Sequence, residues 1–366
     1  MLTDGEVTLR AHRLSDVDEM VVQCTDPVST AGTDLPLTYS RDNAVRYATE
    51  TMPNGWRTRT ELGFAIEDGV REFAGSVSLR LRGDGIADIA YGLHPAARGR
   101  GVCRRAVALL LDWGFQQPEI DVVTWYAYVG NWASRRVAWA TGFAIGTTVA
   151  KLHSQRGVRR DCWTGTLRAD DPREPRTPWH LPPVLESDRL RLRPLRETDA
   201  DRLGEVHADE RTRNFKGRYR AAGSRDGAAM VLLHQERAAR GERIHWCIAD
   251  RATDHLVGQV QLHDLEGLDP TSAELGYAMH PDSRGRGVVT EALTVVADWA
   301  FRPATEGGFG RRRLVVKTAA TNQASRHVAE KAGFVHVATE PASFPMGERD
   351  FDDCVLYHRL NPRWTP

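Results

Sequence analysis

The feature that most constrains this chain is a segment that occurs twice. Residues 91–115 (YGLHPAARGRGVCRRAVALLLDWGF) align with residues 277–301 (YAMHPDSRGRGVVTEALTVVADWAF), and 12 of the 25 positions are identical. Residues 131–143 (NWASRRVAWATGF) align in the same way with residues 322–334 (NQASRHVAEKAGF), with eight of 13 identical. Solenoid repeats have periods of about 20 to 50 residues. Offsets of 186 and 191 residues therefore indicate two copies of a whole domain.

A proline-rich segment separates the two copies. Residues 168–184 (RADDPREPRTPWHLPPV) contain five prolines, and such a segment stays extended because proline interrupts helices and interior strands. The sequence therefore predicts an N-terminal domain over 1–168, a linker over 169–183 and a C-terminal domain over 184–366.

The composition argues against several classes of protein. Lysine plus arginine and aspartate plus glutamate both number 49, so no net charge favours nucleic acid or an anionic membrane. The five cysteines lack the CxxC spacing of a zinc site or a disulfide framework. No signal pattern opens the sequence, and no apolar run has membrane-spanning length. We expect a cytoplasmic monomer or homodimer that holds no metal and binds neither nucleic acid nor a membrane.

Both copies show the same order of elements. A strand and an Asp-rich helix start are followed by a polar, variable stretch and three strands. The RGRG turn and an amphipathic helix come next, with Trp113 or Trp299 on the apolar helix face. A further strand, a helix that begins at an Asn, and closing strands complete each copy. This order predicts an α+β fold in which helices flank a mixed, mostly antiparallel sheet.

The RGRG turn has the features of an anion site. A helix start exposes backbone N–H groups, and the positive end of the helix dipole adds to their attraction for an anion. Glycine permits left-handed dihedrals and close approach of a ligand, and the arginines add positive charge. We expect a pyrophosphate to bind this turn in each copy, at Arg98, Gly99, Arg100, Gly101, Val102 and Cys103 and at Arg284, Gly285, Arg286, Gly287, Val288 and Val289.

A turn of this kind has other interpretations. An Arg-Gly pair can be only a solvated surface turn, and disordered RG arrays bind RNA. Each turn in this chain stands alone between a strand and an amphipathic helix. The turn matches neither the Walker pattern GxxxxGK[ST] nor the Rossmann spacing GxGxxG.

The turn and the later Asn-x-x-Ser and Gly-Phe motifs together resemble the GNAT superfamily of acetyl-CoA-dependent N-acetyltransferases. The wording of the second copy is similar to the RimJ/RimL-like branch, and tandem proteins of this kind occur in actinobacteria. The resemblance covers both copies and implies two tandem GNAT-like domains that use acetyl-CoA. The last motif position, usually Gly or Ala, is Cys103 or Val289 here. The first copy also has Arg104-Arg105 where the second has Thr290-Glu291.

The resemblance implies direct attack of the amine on the thioester, without an acyl-enzyme. Backbone amides near Leu93 and Met279 are the implied donors to the oxyanion. The position of the family's usual acidic Tyr holds Ala138 or Ala329.

The RimL-like branch instead resembles an arrangement that uses a serine. The resemblance implies Ser134 and Ser325 as groups at the thiol, with Asn131 and Asn322 facing the pantetheine arm. These residues are also good helix caps, and capping alone would explain them.

Several side chains are candidate bases for removing a proton from the amine. The second copy offers Glu274 on its fourth strand and Glu340 after the Gly-Phe motif. The first copy offers Asp88 at the position of Glu274, and His153, which we expect in the loop before RRDCW. Each of these groups can instead be solvated or ion-paired. Asp161 and Asp353 are expected to hold strand ends.

Selection of the acceptor is expected from the variable stretches. The second copy carries a basic run there that would suit an acidic acceptor or form a solvated face: Arg211, Arg213, Lys216, Arg218, Arg220 and Arg225. Three functions are compatible with the sequence. We expect acetylation of a small-molecule primary amine, by the C-terminal copy, in secondary metabolism or antibiotic resistance. The alternatives are a protein N-terminal acetyltransferase and a non-catalytic acyl-CoA-binding regulator.

Overall fold

The computed structural model describes residues 1–215, 226–347 and 350–364. The chain forms two compact units, Met1–Arg176 and Thr177–Pro366, which we call the N-terminal and the C-terminal domain. Part of the basic run lies outside the described residues, namely Lys216, Arg218, Arg220 and Arg225.

The N-terminal domain is built on one eight-stranded sheet. Its strands are β1 (Leu2–Thr3), β2 (Thr8–Arg10), β3 (Glu61–Glu67), β4 (Gly75–Gly83), β5 (Ile86–Leu93), β6 (Val122–Tyr128), β7 (Ala144–Gln155) and β8 (Val158–Arg168). Their order in the sheet is β1-β2-β3-β4-β5-β6-β8-β7.

The C-terminal domain repeats this sheet. Its strands are β9 (Leu185–Glu186), β10 (Leu190–Arg193), β11 (Ile244–Asp250), β12 (Leu256–His263), β13 (Ser272–Met279), β14 (Arg313–Ala319), β15 (Val335–Met346) and β16 (Asp350–Leu360). The order β15-β16-β14-β13-β12-β11-β10-β9 is that of the first sheet read in reverse.

Helices flank both sheets. Those of the N-terminal domain are α1 (Val17–Thr25), α2 (Pro27–Gly32), α3 (Arg41–Arg46), α4 (Met52–Thr58), α5 (Val102–Gly114) and α6 (Trp132–Ala140), with a π-helical turn between α3 and α4. Those of the C-terminal domain are α7 (Ala200–Ala208), α8 (Glu210–Asn214), α9 (Gly227–Ala239), α10 (Val288–Phe301) and α11 (Gln323–Lys331).

One strand pair in each sheet is parallel, and the others are antiparallel. The parallel pairs are β5 with β6 and β13 with β14, and they are joined by the crossover helices α5 and α10, as parallel neighbours require. The predicted α+β class with a mixed, mostly antiparallel sheet is therefore confirmed.

The crossover helix packs on its sheet through the tryptophan that the sequence places on its apolar face. The Trp113 ring lies 5.4 Å from the Phe64 ring of β3, edge to face. The Trp299 ring lies 5.4 Å from the Trp246 ring of β11, with the ring planes 76° apart. Aromatic pairs favour this edge-on geometry. Both helices therefore pack on their sheets through the same kind of contact.

The variable stretches contain helices that the sequence analysis did not identify. They fold into α2, α3 and α4 in one domain and into α8 and α9 in the other. Most of these helices are short, and periodicity is weak over five to seven residues. The 13-residue α9 has the run AAMVLL, which could have indicated a helix.

The segment predicted as a linker contains neither a helix nor a strand. Arg176 donates from Nε to the carbonyl oxygen of Gly142 at 2.8 Å. Trp246 donates from Nε1 to the carbonyl oxygen of Pro183, also at 2.8 Å. The first part of the segment therefore packs on the N-terminal domain, and the last part packs on the C-terminal domain.

A buried ion pair fixes the first helix of each domain to the sheet. Arg10 of β2 binds both carboxylate oxygens of Asp16 at 2.8 Å, and these side chains are 4% and 1% exposed. Arg193 of β10 binds Asp199 in the same way, at 2.8 and 2.9 Å. Arg193 also donates from Nε to Asp254 at 2.9 Å. Two parallel hydrogen bonds fix orientation as well as distance.

Breaking the pair in one domain should cost more than removing it. Arg193→Met leaves the Asp199 carboxylate buried without its cation, so we expect a loss of about 3–5 kcal/mol in the free energy of unfolding of that domain. The double variant Arg193→Met, Asp199→Leu should lose clearly less, because no charge stays buried alone. Urea unfolding of the full chain measures both.

A matched control is the exposed pair Arg41 and Asp18, whose side chains are 65% and 80% exposed. Replacing Arg41 with Met should change stability by at most about 1 kcal/mol. A double variant as unstable as Arg193→Met would contradict this account of the buried pair.

Candidate functional site

The RGRG turn of the N-terminal domain presents a row of backbone amides. Gly99 and Gly101 both have φ of +77°, a conformation that favours glycine, and α5 begins at the next residue, Val102. The first helical bond is donated by the Arg105 amide to the Gly101 carbonyl. Within the described residues, the amides from Gly99 to Arg104 have no protein acceptor. These are the donors of an anion site at a helix N-terminus.

The C-terminal domain has the same turn. Gly285 and Gly287 have φ of +75° and +74°, and α10 begins at Val288. The first helical bond runs from the Glu291 amide to the Gly287 carbonyl. A Cβ atom added at Gly285 would meet no protein atom within 4 Å, and at Gly287 it would meet only an Arg189 nitrogen, at 3.9 Å. The space in front of both glycines is therefore open to a ligand.

Most of the arginines in the turns have a different role from the expected one. Arg98 binds Asp26 at 2.6 Å, and Asp26 caps α2 by accepting from the Ser29 amide. Arg284 binds Asp209, which caps α8. These hydrogen bonds lower the pKa of both carboxyl groups, that of Asp209 to about 2. The two arginines thus fix the turn to the neighbouring helix, since their charge is paired within the protein.

The other two arginines of the turns differ from each other. Arg100 is ion-paired with Asp68, whereas Arg286 is exposed. The backbone amides, rather than the arginine charges, are the feature common to the two turns.

The strands beside each turn separate from each other. The β5–β6 pairing covers only Ile86–Asp88, although β5 continues to Leu93. The His94 amide donates to the Ala74 carbonyl at 2.9 Å. Because hydrogen-bonded and non-bonded pairs alternate in an antiparallel ladder, the Leu93 amide points away from β4, toward the side where β6 has separated.

The corresponding strands of the C-terminal domain separate in the same way. The β13–β14 pairing ends at Glu274, and β13 continues to Met279. The His280 amide donates to the Val257 carbonyl at 3.0 Å, so the Met279 amide points into the gap. Each domain therefore has a groove with an amide on its wall and the helix N-terminus at its mouth.

The Asn and Ser candidates lie at the start of the helix across this groove. The Asn131 side chain accepts from the Ser134 amide at 3.1 Å, and the Asn322 side chain accepts from the Ser325 amide at 3.2 Å. The capping role is therefore real for both Asn residues. The predicted contact of these side chains with a pantetheine arm stays a prediction.

A buried tyrosine that the sequence analysis missed binds each Ser. The Tyr91 hydroxyl lies 3.0 Å from Ser134 Oγ, and the Tyr277 hydroxyl lies 2.8 Å from Ser325 Oγ. Burial raises the pKa of Tyr277 to about 12 and also raises the pKa of Tyr91, so both phenols keep their protons. The only signal in the sequence was the repeated Tyr that precedes each His-Pro by three positions.

The carboxylates on the fourth strand are ion-paired. Glu274 lies 2.9 Å from Lys317 Nζ and 3.6 Å from His263 Nε2. Asp88, at the corresponding position, binds Arg82 at 2.5 Å and accepts from the Thr124 hydroxyl. The alternative of an ion pair therefore holds for both residues.

The other two candidate bases lie in strands. The expectation of a loop for His153 is wrong, because β7 extends as one arm of a long hairpin and includes it. Its ring stacks on Tyr126 with centroids 3.8 Å apart, and partial burial lowers its pKa. Glu340 is exposed on β15, and Ser343 Oγ donates to its carbonyl at 3.1 Å. These contacts of His153 and Glu340 do not include either Tyr–Ser pair.

The aspartates of the shared Asp-Cys motif have structural roles, but within the long hairpins rather than at the expected strand ends. Asp161 Oδ1 accepts from the Lys151 amide, and Asp353 Oδ1 accepts from the Ala342 amide, both at 2.9 Å. Lys151 and Ala342 have φ of +52° and +47°. Each carboxylate therefore stabilises an irregularity in the long hairpin.

Cys103 lies at the start of α5, where a thiolate could in principle be stabilised. Burial raises its pKa to about 12, so the thiol is protonated at neutral pH. A protonated thiol is a weak nucleophile, and this supports the expectation of transfer without an acyl-cysteine.

The Arg-for-Glu difference in the crossover helix is a compensated charge reversal. Arg105 of α5 binds Asp4 in the β1–β2 turn at 2.8 Å. Glu291, at the same position in α10, accepts from Ser187 at 2.6 Å and from Arg189 Nε at 2.9 Å in the β9–β10 turn. Both domains keep this contact, with the positive and negative partners exchanged. The departure of the first copy from the family's motif at this position therefore does not indicate that its domain has lost function.

A family model, described as an acetyltransferase (GNAT) domain, matches residues 6–144 and again residues 189–335. The chain belongs to the GNAT acetyltransferase family. Each half is a GNAT domain, and the protein is an acyltransferase with RimJ/RimL-like resemblance.

Known relatives match over about one domain. An uncharacterized N-acetyltransferase, YoaA of Bacillus subtilis, is 28% identical over 156 residues, which is 42% of this chain and 82% of that protein. The ribosomal-protein-serine acetyltransferase of Escherichia coli is 28% identical over 130 residues, covering 36% of this chain and 65% of that protein. A solved structure, Mycobacterium smegmatis RimJ in complex with CoA-disulfide, is 19% identical with a TM-score of 0.41, covering 48% and 84% of the two chains.

In the part of the chain that the structure describes, no three or more His, Cys, Asp or Glu side chains are grouped so that they could hold a metal ion. None of the described helices combines the length and apolar character needed to cross a membrane.

Closing the open space at the turns should abolish CoA binding. In the double variant Gly101→Val, Gly287→Val, a β-branched side chain is forced into a left-handed conformation and projects toward the ligand. We expect calorimetry to show at least a tenfold weaker affinity for CoA.

A matched control separates backbone strain from loss of the site. Gly83 and Gly307 have φ of +88° and +76° and equally open surroundings, but lie away from both turns. The double variant Gly83→Val, Gly307→Val should bind CoA as the wild type does. Equal weakening in the two double variants, or in neither, would show that the turns do not bind CoA.

Proposed function

We propose that this protein transfers the acetyl group of acetyl-CoA to the primary amine of a small molecule, in a ternary complex. The observation that carries the proposal is the repeated groove, which combines free amides at a helix N-terminus with a further amide on the strand wall. The membership of the chain in the acetyltransferase family supports acetyl-CoA as the donor.

The residues present fit the parts of acetyl-CoA in the following way. The amides of 99–104 and 285–290 would hold the pyrophosphate. The Leu93 or Met279 amide would donate to the oxyanion that forms when the amine attacks the thioester carbon. The C–N bond forms as the electron pair of the C=O double bond moves to the oxygen. The C–S bond breaks when this oxyanion re-forms the carbonyl, and the sulfur leaves as a thiolate that takes up a proton.

The Tyr–Ser pair is the proton donor that we propose for the leaving thiolate. Ser325 Oγ lies at the start of α11, and Tyr277 can replace the proton that the serine gives up, since its phenol stays protonated. The base that accepts the proton of the amine is proposed among Glu274, Glu340 and, in the N-terminal domain, His153. A water molecule would have to connect these groups to the amine.

The size of a cleft in the N-terminal domain supports a small molecule as the acceptor. The tip of the β7–β8 hairpin closes on the end of α2, because Gln155 Nε2 donates to the Ala31 carbonyl at 2.8 Å and to the Thr33 carbonyl at 3.0 Å. A cleft of about 410 Å³ lies beside this contact, lined by Ala31, Tyr128, Val129, Gln155, Arg159, Arg160 and Asp161. This volume is in the range of small-ligand sites.

The second candidate function is acetylation of a protein N-terminus or side chain. It is favoured by the 28% identity with the ribosomal-protein-serine acetyltransferase of Escherichia coli. A non-catalytic acyl-CoA-binding role is the third candidate.

Release of CoA from acetyl-CoA, followed with a thiol reagent, distinguishes the three functions. We expect the wild-type protein to release CoA with members of a panel of small primary amines, and not with peptides that begin with Ser or Ala. Turnover confined to the peptides would favour the protein acetyltransferase. Tight CoA binding without turnover on either panel would favour the regulator.

We propose that the C-terminal domain performs the transfer, because it carries both carboxylates proposed as the base, Glu274 and Glu340. Gly287→Val should then abolish turnover, whereas Gly101→Val should leave most of it. The cleft of the N-terminal domain favours the opposite assignment. Loss of turnover in Gly101→Val alone would establish that assignment, and His153 would become the base to test.

A further inference from the structure

Three imidazoles and an amide form a polar cluster in the interior of the C-terminal domain, which we call the histidine cluster. It consists of His207 of α7, His234 of α9, His245 of β11 and Gln259 of β12. The rings of His234 and His245 lie 3.7 Å apart, and those of His207 and His234 lie 6.4 Å apart. Gln259 Nε2 donates to His207 Nε2 at 3.0 Å. Helix and strand thus contribute to one group.

Two members of the histidine cluster have polar atoms that the protein leaves unsatisfied. Among the described residues, the two ring nitrogens of His234 have no hydrogen-bond partner. The same is true of Oε1 of Gln259. Both side chains are 7% exposed. Buried polar groups without partners reduce stability, and native proteins contain few of them. Such groups are available to hydrogen-bond a polar ligand.

The N-terminal domain has one imidazole at the corresponding place instead of three. From the strand pairing, His245 corresponds to Gly63 and Gln259 to Ser76. Ser76 Oγ lies 3.1 Å from Nε2 of His12, and Nδ1 of His12 has no partner among the described residues. The group of three imidazoles is a property of the C-terminal domain and not a requirement of the fold.

Two arginines act on His234. Apart from burial, the main groups that lower its pKa are His245, His207, Arg237 and Arg243. Arg243 lies just before β11 and donates to Gln261 at 3.0 Å, and Arg237 lies 3.9 Å from Glu242. A neutral imidazole beside arginines can donate a hydrogen bond to an anion.

The histidine cluster lies next to the proposed reaction site. Gln259 is paired with Ala278, the neighbour of Met279, whose amide points into the groove. Side chains alternate along a strand, so Ala278 faces the opposite side of the sheet from Tyr277 and its partner Ser325. His207 is two residues before Asp209, which binds the arginine of the RGRG turn. The cluster is thus on the face of the sheet opposite the Tyr–Ser pair, beside the strand that carries the Met279 amide.

We propose that the histidine cluster binds an anionic group of the acceptor, a carboxylate or a phosphate, so that the substrate of the C-terminal domain is an amine that also carries an anion. This inference rests on the proposed function for the identity of the bound molecule as an acceptor. His234 and Gln259 are specificity residues in this account, and they take no part in the bond changes.

The test compares linear primary amines of equal length that end in a carboxylate, a phosphonate or a methyl group. The wild-type protein should bind the two anionic amines at least tenfold more tightly than the methyl amine, by calorimetry in the presence of CoA. His234→Phe should remove this preference and leave binding of the methyl amine unchanged. The relative affinity of the carboxylate and the phosphonate amine identifies the anion.

Thermal unfolding distinguishes a binding role from a structural one. Phenylalanine has no ring nitrogens, so His234→Phe removes two buried polar atoms that lack hydrogen-bond partners. The variant should therefore melt at the same temperature as the wild type or higher. Gln259→Leu is the second variant, and should also lose the preference. His255→Phe is the matched control, because the same substitution at an exposed turn position should change neither quantity.

Two results would overturn the inference. One is equal affinity of the wild-type protein for all three amines. The other is a lower melting temperature in both cluster variants with the anion preference retained, which would make the histidine cluster structural. Absence of turnover with every amine would refute the proposed function, but the equilibrium titrations would still decide whether the cluster binds an anion.

Discussion

The short parallel pairing between β5 and β6, and between β13 and β14, is the constraint on which each domain depends. Parallel neighbours need a crossover, and the crossover is the helix that begins at the RGRG turn. Because the pairing stops after three residues, the strands separate where the helix N-terminus points. The groove, the strand amide and the helix amides are therefore consequences of one topological feature.

Side chains around the groove hold it in shape without entering the chemistry. The buried pairs Arg10–Asp16 and Arg193–Asp199 fix the first helix, and the arginine of each turn fixes the next one. Conserved geometry with exchanged charge at Arg105 and Glu291 shows that the two domains solve one structural problem with different residues. The functional difference that we propose between the domains lies on the opposite face of the sheet, in the histidine cluster.

The sequence predicted the site unevenly. The glycine positions and the Asn caps were predictable, because left-handed dihedrals and capping depend on residues close in sequence. Tyr277 was missed, since its partner Ser325 is 48 residues away. His234, in a variable stretch, and His245, in a strand, were not identified as candidates from the sequence. Only the packing of α9 on β11 brings their rings together.

The sequence by itself determined the duplication, the α+β class, the strand and crossover helix of each copy, and the glycines at the helix start. These follow from periodicity, turn chemistry and self-similarity, which are local properties of the chain. The tertiary structure alone decided which charges are paired, that the Cys103 thiol is protonated, and that the imidazoles form one cluster. Burial and ion pairing depend on contacts between residues distant in sequence, and no local pattern specifies them.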